Sequence, residues 1–189
     1  MPKTNDLPQV IGRLANSGPT AREAAARELY RLGRALADPV VDRWRAFEDF
    51  AALLAGAPTV GVAVRPETFE KIHVANGSPR LANVPPDQDA REFALCFGGV
   101  SLDILTTKAP GGNGAIARFL EKFGEGIQQV EYEVKSVDRA TETLRAQLGQ
   151  QPIYPQARAG ADGSRVNFFL APAPDSKKVL IELVEVCVV

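Results

Sequence analysis

Apolar residues recur at helical spacing through the first 56 residues, with polar residues between them. The apolar members are Ala25, Leu29, Leu32 and Leu36, followed by Val40, Val41, Trp44, Phe47, Phe50 and Leu53. Spacing of three or four is typical of amphipathic helices. After a short candidate helix at residues 6–14, Thr20 and Glu23 fit a capping box, and Asp38-Pro39 fits an N-cap with proline at the first helical position. These signals predict an N-terminal helical extension over residues 1–56 that packs on the rest of the chain or on a second copy.

From residue 58 the pattern changes to short β-branched and alternating runs. Gly98-Gly99 separates two alternating runs and indicates a tight hairpin. The predicted elements are a strand at 59–64, a helix or a helix running into a strand at 67–75, a loop or irregular edge strand at 76–89, strands at 91–97 and 100–107, a linker at 109–114 and a helix at 115–123.

A second series of similar elements follows. Ser136 and Gly149 delimit a helix at 137–148. The other predicted elements are strands at 127–134, 152–156, 165–170 and 179–186. The stretch TVGVAVRPETFEKI from Thr59 matches QVEYEVKSVDRATE from Gln129, and LDILT from Leu102 matches LIELV from Leu180.

This internal repeat predicts an α+β fold of two βαβββ modules, at about 58–107 and 127–186, the first with a degraded middle. The modules form one domain over residues 57–189, with the linker helix at 115–123 between them. One sheet face of each module is covered by its helix, and we expect the two uncovered faces to pair and form a cleft.

Strand alternation sorts side chains between the two faces. A two-residue turn at Gly98-Gly99 pairs Phe97 with Val100 and Ala94 with Asp103. The face predicted to meet the helices carries Phe93, Leu95, Phe97, Val100, Leu102 and Ile104, and in the last strand Val179, Ile181 and Leu183. The opposite face carries Glu92, Ala94, Cys96, Ser101, Asp103 and Leu105, and in the last strand Leu180 and Glu182.

Repeat symmetry matches Thr59 with Gln129 and Asp103 with Glu182. Four oxygen-bearing side chains therefore stand at related positions, and oxygen ligands suit a hard divalent cation. The alternative is that they are four polar residues on a hydrated face.

Charge and composition limit the function. The chain has 22 basic and 23 acidic residues, without the basic excess expected of a protein that binds nucleic acid or a membrane surface. The N-terminus lacks a signal-peptide pattern, and Cys96 and Cys187 form no disulfide framework. We therefore expect a soluble, cytoplasmic protein that binds neither nucleic acid nor a membrane surface. The single histidine, His73, excludes a histidine-rich metal cluster, and we expect it to pack or lie at the surface. Gly111–Gly114 indicates a linker, because a P-loop would require a following Lys-Ser/Thr.

The layout resembles the vicinal-oxygen-chelate superfamily, which includes glyoxalase I, extradiol dioxygenases and antibiotic-resistance binders. Within it the chain is most similar to the methylmalonyl-CoA epimerases. Three stretches carry the resemblance: GAIARFLEKFGEGIQQVEYEV from Gly114, RAGADGSRVNFFLAP from Arg158 and KVLIELVE from Lys178. The similarity is good over residues 100–186, weak over 58–99 and absent from the first 56.

The resemblance implies metal ligands at Thr59, Asp103, Gln129 and Glu182. Glu182 matches the final glutamate ligand, Gln129 stands where the epimerases have histidine, and Thr59 replaces a histidine or glutamine. A threonine hydroxyl is a poor ligand for zinc, cobalt or nickel, and the imidazoles are missing. A weak Mg²⁺, Mn²⁺ or Ca²⁺ site, or no metal, is expected.

The resemblance also places Glu92, in the stretch DQDAREFAL, at a catalytic-base position. Glu92 and Glu182 would then exchange a proton on a carbon next to the carbonyl of a small acid or thioester. The resemblance thus implies that the protein is an isomerase or lyase and that it forms a homodimer. Glu92 could instead be a solvated strand residue. Two other functions also remain open: a non-catalytic binder of a small-molecule ligand that has lost its metal site, and an assembly role of the N-terminal helices.

Overall fold

A computed structural model of the protein describes residues 7–172 and 178–185. The helices are α1 (Leu7–Arg13), α2 (Pro19–Arg45), α3 (Glu48–Ala51), α4 (Pro66–Ala75), α5 (Ala115–Phe123) and α6 (Val137–Leu148). The strands are β1 (Leu54–Ala63), β2 (Ala90–Phe97), β3 (Val100–Thr107), β4 (Gly126–Val134), β5 (Arg158–Ala159), β6 (Arg165–Pro172) and β7 (Lys178–Glu185). Short 3-10 helices lie at Pro86–Gln88 and Ala161–Gly163.

The chain divides into two compact units. The first combines residues up to 32 with 59–128, and the second combines 33–58 with residues from 129 onward. Each unit therefore contains part of the N-terminal helical segment and one of the repeated modules. The division of the chain into an extension and a domain at residue 56 stays a prediction.

The first unit has the strand order β2-β3-β1, with β2 and β3 antiparallel and β1 and β3 parallel. Phe97 pairs with Val100 and Ala94 with Asp103, so the predicted hairpin register is confirmed. Helix α4 covers the apolar face, where its Phe69 ring meets the Phe93 ring edge-on at 4.8 Å between centroids. That face is closed to water: Val60, Val62, Phe93, Leu102 and Ile104 are at most 1% exposed.

The second unit has the strand order β4-β7-β6-β5, with β4 and β7 parallel and the other pairs antiparallel. Its helix α6 follows the sequence signals at both ends. The Ser136 hydroxyl accepts a hydrogen bond from the Arg139 amide at 3.4 Å, and Gly149 ends the helix with φ 62°. Val179, Ile181 and Leu183 are at most 5% exposed, as expected for the covered face. The α+β class and the repeated β-α-β module are confirmed.

The N-terminal helices differ from the prediction. Helix α2 runs without a break through Pro39, although Asp38-Pro39 had indicated a new helix start. The Asp38 carboxylate does not cap a helix, because it accepts hydrogen bonds from Arg34 Nε at 2.6 Å and from the Tyr132 hydroxyl at 2.9 Å. Packing beyond the proline, where the Trp44 ring meets Phe169 at 5.6 Å, offsets the backbone bond that Pro39 cannot donate.

The predicted capping box is also wrong. Thr20 is already the second residue of α2, which begins at Pro19. The turn before the helix is closed instead by Asn16, whose side-chain oxygen accepts a hydrogen bond from the Gly18 amide at 2.8 Å. A proline at the first helical position needs no hydrogen-bond partner for its nitrogen, which favours this earlier start.

Two strand boundaries also differ. Strand β1 begins at Leu54, within the segment assigned to the helical extension, and the Lys135 amide bonds the Leu53 carbonyl beside it at 2.8 Å. The strand predicted at 152–156 does not form, and β5 is the two-residue strand 158–159. Pro152 and Pro155 lack the amide hydrogens that a ladder requires, and only the Ile153 amide reaches the Phe168 carbonyl, at 2.7 Å.

No helix in the described part of the chain combines the length and apolar character needed to cross a bilayer.

Candidate functional site

Three polar side chains share the face of the second unit that α6 leaves uncovered. Gln129 and Glu131 lie two residues apart on β4 and so point to the same side of the sheet. Glu131 pairs with Glu182 on the neighbouring parallel strand β7. Alternation along both strands therefore places Gln129, Glu131 and Glu182 side by side. We call these three residues the carboxylate cluster.

The Gln129 amide links the two carboxylates. Its Nε2 donates a hydrogen bond to Glu182 Oε2 and a second one, at 3.2 Å, to Glu131 Oε1. Gln129 is 8% exposed and Glu182 is 7% exposed, so both side chains are largely shielded from solvent. A buried carboxylate requires such donors, because an ionised group without a partner would be costly away from solvent.

On the β6 side, the neighbours of Glu182 on this face are apolar. Phe168 pairs with Glu182 across β6 and β7, and Leu170 pairs with Leu180 one position along the face. Leu170 remains 49% exposed. The face therefore offers an apolar surface beside a buried carboxylate, an arrangement suited to holding an uncharged group against an acid–base residue.

The first unit presents a corresponding face. Asp103 on β3 pairs with Gly61 on one side and with Ala94 on the other. Thr59, two residues before Gly61, and Glu92, two residues before Ala94, point to the same side as Asp103. All three are half-buried. The structure thus brings Thr59, Asp103 and Glu92 onto one face of the first unit, and Gln129 and Glu182 onto one face of the second.

The donor atoms of the carboxylate cluster do not fit a resident metal ion in this arrangement. Gln129 presents nitrogen, not oxygen, to both carboxylates, and an amide nitrogen that donates hydrogen bonds has no lone pair for a cation. Within residues 7–172 and 178–185, no three His, Cys, Asp or Glu side chains come together as a metal-binding group. A metal ligand set over Thr59, Asp103, Gln129 and Glu182 stays a prediction.

The single histidine has a packing role. His73 Nε2 lies 2.8 Å from the Pro79 carbonyl oxygen, and its ring stacks on Phe69 at 6.2 Å and tilts against Phe93 at 5.0 Å. These contacts hold the end of α4 against the covered face of the first sheet.

The Asp89 carboxylate packs against the glycine-rich segment that precedes α5. Asp89 Oδ2 lies 3.0 Å from the position that a Cβ on Gly114 would take, and 3.5 Å from the corresponding position on Gly112. Gly114 precedes the first residue of α5. An acidic side chain already stands at this helix start, where an anionic ligand would otherwise be attracted, in keeping with the linker interpretation.

Cys96 and Ser101 meet across the hairpin of the first unit. Cys96 is exposed, and its Sγ lies 3.8 Å from Ser101 Oγ across the hairpin. Cys187 lies outside the described residues.

Two features were missed from the sequence. The first is Glu131, whose repeat counterpart is Gly61 and whose alternation with Gln129 is the sequence signal for its place on this face. Tyr132 was read only as part of a strand, yet its hydroxyl bonds Asp38 of α2, 94 residues away in the chain. Burial, followed by the nearby Asp38 charge and the hydrogen bond to it, raises the pKa of Tyr132 far above its usual range.

Solved structures show what the fold is similar to. A methylmalonyl-CoA epimerase from Mycobacterium tuberculosis is 35% identical, with 71% of this chain and 89% of that chain covered and a TM-score of 0.57. The chain belongs to the methylmalonyl-CoA epimerase family. This confirms the resemblance to the vicinal-oxygen-chelate superfamily, and it supports an epimerase-like function.

Two other epimerase structures agree. A methylmalonyl-CoA epimerase in complex with methylmalonyl-CoA and NH4+ is 26% identical, with 72% of this chain and 97% of that chain covered and a TM-score of 0.58. A single-residue variant of the Streptomyces coelicolor enzyme, in complex with 2-nitronate-propionyl-CoA, is 26% identical over the same shares, with a TM-score of 0.59. No family model and no curated protein matches the chain.

Proposed function

We propose that this protein transfers a proton at the carbon next to the carbonyl of a small acyl-CoA thioester, with Glu182 as one acid–base group. The observation that carries the proposal is the buried Glu182 carboxylate, held by the Gln129 amide on the sheet face opposite α6 and beside apolar side chains. Structures of family members with CoA thioesters support this class of ligand.

The proposed reaction needs two carboxyl groups. Ionised Glu182 takes the α-proton, and the electron pair of the broken C–H bond passes into the enolate of the thioester. A protonated carboxyl on the other side of the carbon returns a proton and inverts the centre. We assign this second role to Glu92, which lies on the same face of the first unit as Asp103. Which of the two groups starts ionised depends on the configuration of the substrate.

The Gln129 amide has a role in this scheme that needs no proton transfer of its own. A carboxylate that accepts a hydrogen bond at one oxygen is held in one orientation and keeps its other oxygen available. Fixing a base relative to the reacting carbon lowers the entropic cost of reaching the transition state. Assistance by a hard cation such as Mg²⁺ or Mn²⁺, a homodimeric state and a cytoplasmic location stay predictions.

The test is deuterium exchange at the α-carbon of methylmalonyl-CoA and propionyl-CoA in D₂O, followed by proton NMR, with EDTA and separately with added Mn²⁺. We expect exchange by the unaltered protein and a loss of ~10²-fold or more in Glu182→Gln and in Glu92→Gln, the usual range for a general acid or base. The matched control is Glu133→Gln, because Glu133 lies on β4 and is exposed.

Two results would contradict the proposal. Undiminished exchange in Glu182→Gln would remove the assigned base. Saturable binding of either thioester without any exchange would instead support the non-catalytic alternative from the sequence.

A further inference from the structure

We propose that Glu131 is a positioning residue that fixes which end of the Gln129 amide faces Glu182. The inference rests on the proposed role of Glu182, and it assigns a role to a residue that the repeat pattern did not single out. Glu131 lies on β4 between Gln129 and the exposed Glu133, directly opposite Glu182 on β7.

The contacts determine the orientation of the amide. Gln129 Nε2 lies within hydrogen-bond distance of both Glu182 Oε2 and Glu131 Oε1. A primary amide nitrogen carries two hydrogens, so each carboxylate receives one. In the reversed orientation the amide oxygen would face two carboxylate oxygens, three acceptors with no hydrogen between them. The carboxylates of Glu131 and Glu182 therefore act together to make the donor orientation the stable one, and Glu131 supplies the acceptor for the second hydrogen.

The two repeats differ at this point. The counterpart of Glu131 in the first unit is Gly61, which pairs with Asp103 and has no side chain. The counterpart of Gln129 is Thr59, which has no amide. Only the second unit therefore has an amide held between two carboxylates, and the orientation of its base is set by a residue that need not touch the substrate.

This arrangement has a functional consequence. With Glu131 in place, Gln129 acts as a hydrogen-bond donor that holds Glu182. Without Glu131, Glu182 alone favours the donor orientation, the second amide hydrogen loses its acceptor, and the amide is held less firmly against Glu182. Glu131 thus strengthens the amide–carboxylate pair of Gln129 and Glu182 against the orientation in which both would present oxygen.

The first readout is independent of activity. In ¹H–¹⁵N spectra of the full chain, the side-chain amide of Gln129 is assigned by its loss in Gln129→Met. We expect both amide protons to be shifted from the positions of an exposed glutamine amide. In Glu131→Ala at least one of them should move toward those positions. In Glu131→Gln, whose new carbonyl can still accept, the shift should be largely kept, and Glu133→Gln should leave it unchanged.

The second readout is kinetic. The expected effect is on the rate, because Glu131 acts through Gln129 on the orientation of Glu182. For α-proton exchange we expect Glu131→Ala to lower kcat by about tenfold with KM changed less than about twofold, and Glu131→Gln to recover most of the rate.

The outcomes separate the two proposals. An unmoved Gln129 amide in Glu131→Ala overturns the positioning role, even if that variant has lost activity or melts at a lower temperature. If the unaltered protein catalyses no exchange, the proposed function fails, while the amide spectra still decide the role of Glu131. If Glu131→Ala does not fold, the Gln129 amide is compared in Glu131→Gln and Glu131→Met, and the inference is overturned if the methionine variant keeps the shift.

Discussion

Asp103 and Glu182 occupy the same register position in the two units. Asp103 pairs with Gly61 across β3 and β1, and Glu182 pairs with Glu131 across β7 and β4. Gly61 and Glu131 are themselves at matching positions in the repeated stretches TVGVAV and QVEYEV. The two units therefore have the same strand-pairing register at these residues. The units differ in the residue that pairs with each carboxylate, which is Gly61 in the first and Glu131 in the second, and the second unit adds the Gln129 amide between its two carboxylates.

Pro39 provides a test of the continuous helix. It is exposed in the interior of α2, where proline costs up to ~3 kcal/mol relative to alanine. We expect Pro39→Ala to raise the free energy of unfolding by ~1–3 kcal/mol, measured by chemical denaturation. The control is Pro66→Ala, since Pro66 is the first residue of α4 and its missing hydrogen has no cost there. A Pro39→Ala protein no more stable than the unaltered one would favour a helix start at this residue.

Tyr132 provides a test of pH dependence. Its folded pKa is raised, chiefly by burial and then by Asp38. Above pH ~10 the unfolded chain releases the phenolic proton while the folded protein keeps it, so stability falls as pH rises beyond the unfolded pKa. We expect Tyr132→Phe to reduce this loss between neutral pH and pH ~11, as measured by thermal melts in matched buffers. Tyr154→Phe, in the same unit, serves for comparison, and an equal effect of both substitutions would refute the assignment.

The same hydroxyl also contributes at neutral pH. It donates to the Asp38 carboxylate at 2.9 Å, and a hydrogen bond to a charged group contributes ~1.5–3 kcal/mol. Because Asp38 keeps its bond to Arg34, we expect Tyr132→Phe to cost ~1–2 kcal/mol at about pH 7. Urea denaturation would measure this, and no loss of stability would show that the bond makes no net contribution.

Gly114 provides a test of the segment before α5. A Cβ there would lie 3.0 Å from Asp89 Oδ2 and 3.3 Å from Asp89 Cβ, closer than side chains normally approach. We expect Gly114→Ala to destabilise the protein by ~1–3 kcal/mol. Gly12→Ala is the control, because nothing lies within 4 Å of a Cβ at that helical position. If Asp89→Ala restores the stability of Gly114→Ala, the contact is responsible, and an additive loss would locate the strain elsewhere.

The substitution Gln129→His tests whether an imidazole at this position increases the affinity for a borderline metal ion. A histidine at this position would place a nitrogen ligand next to Glu182, and imidazole suits borderline metals better than an amide. We expect Gln129→His to bind Co²⁺ at least ~10-fold more tightly than the unaltered protein, monitored by visible absorption. Gln128→His, on the opposite side of β4, controls for an added histidine as such, and equal binding by both variants would contradict the expectation.

Local sequence determined most of the fold. Alternation around Gly98-Gly99 was sufficient for the hairpin register, and Ser136 with Gly149 was sufficient for both ends of α6. These features depend on interactions within a few residues, so they can be read without knowing what packs against what. The match of LDILT with LIELV, taken letter by letter, sets Asp103 against Ile181, and only the strand pairing, which is shifted by one residue, makes Asp103 equivalent to Glu182.

Tertiary structure decided the rest. The local sequence Asp38-Pro39 is typical of a helix start. In the structure, however, the Asp38 carboxylate accepts hydrogen bonds from Tyr132 and Arg34, and α2 continues through Pro39. Glu131 acquires its place in the site only because β4 and β7 lie side by side in parallel, which brings it opposite Glu182 and within reach of the Gln129 amide. In each case one partner, Tyr132 or Glu182, is distant in sequence, so the local pattern could not reveal the contact. At Asp38, the hydrogen bonds to the carboxylate outweigh a local capping preference worth about a kilocalorie per mole.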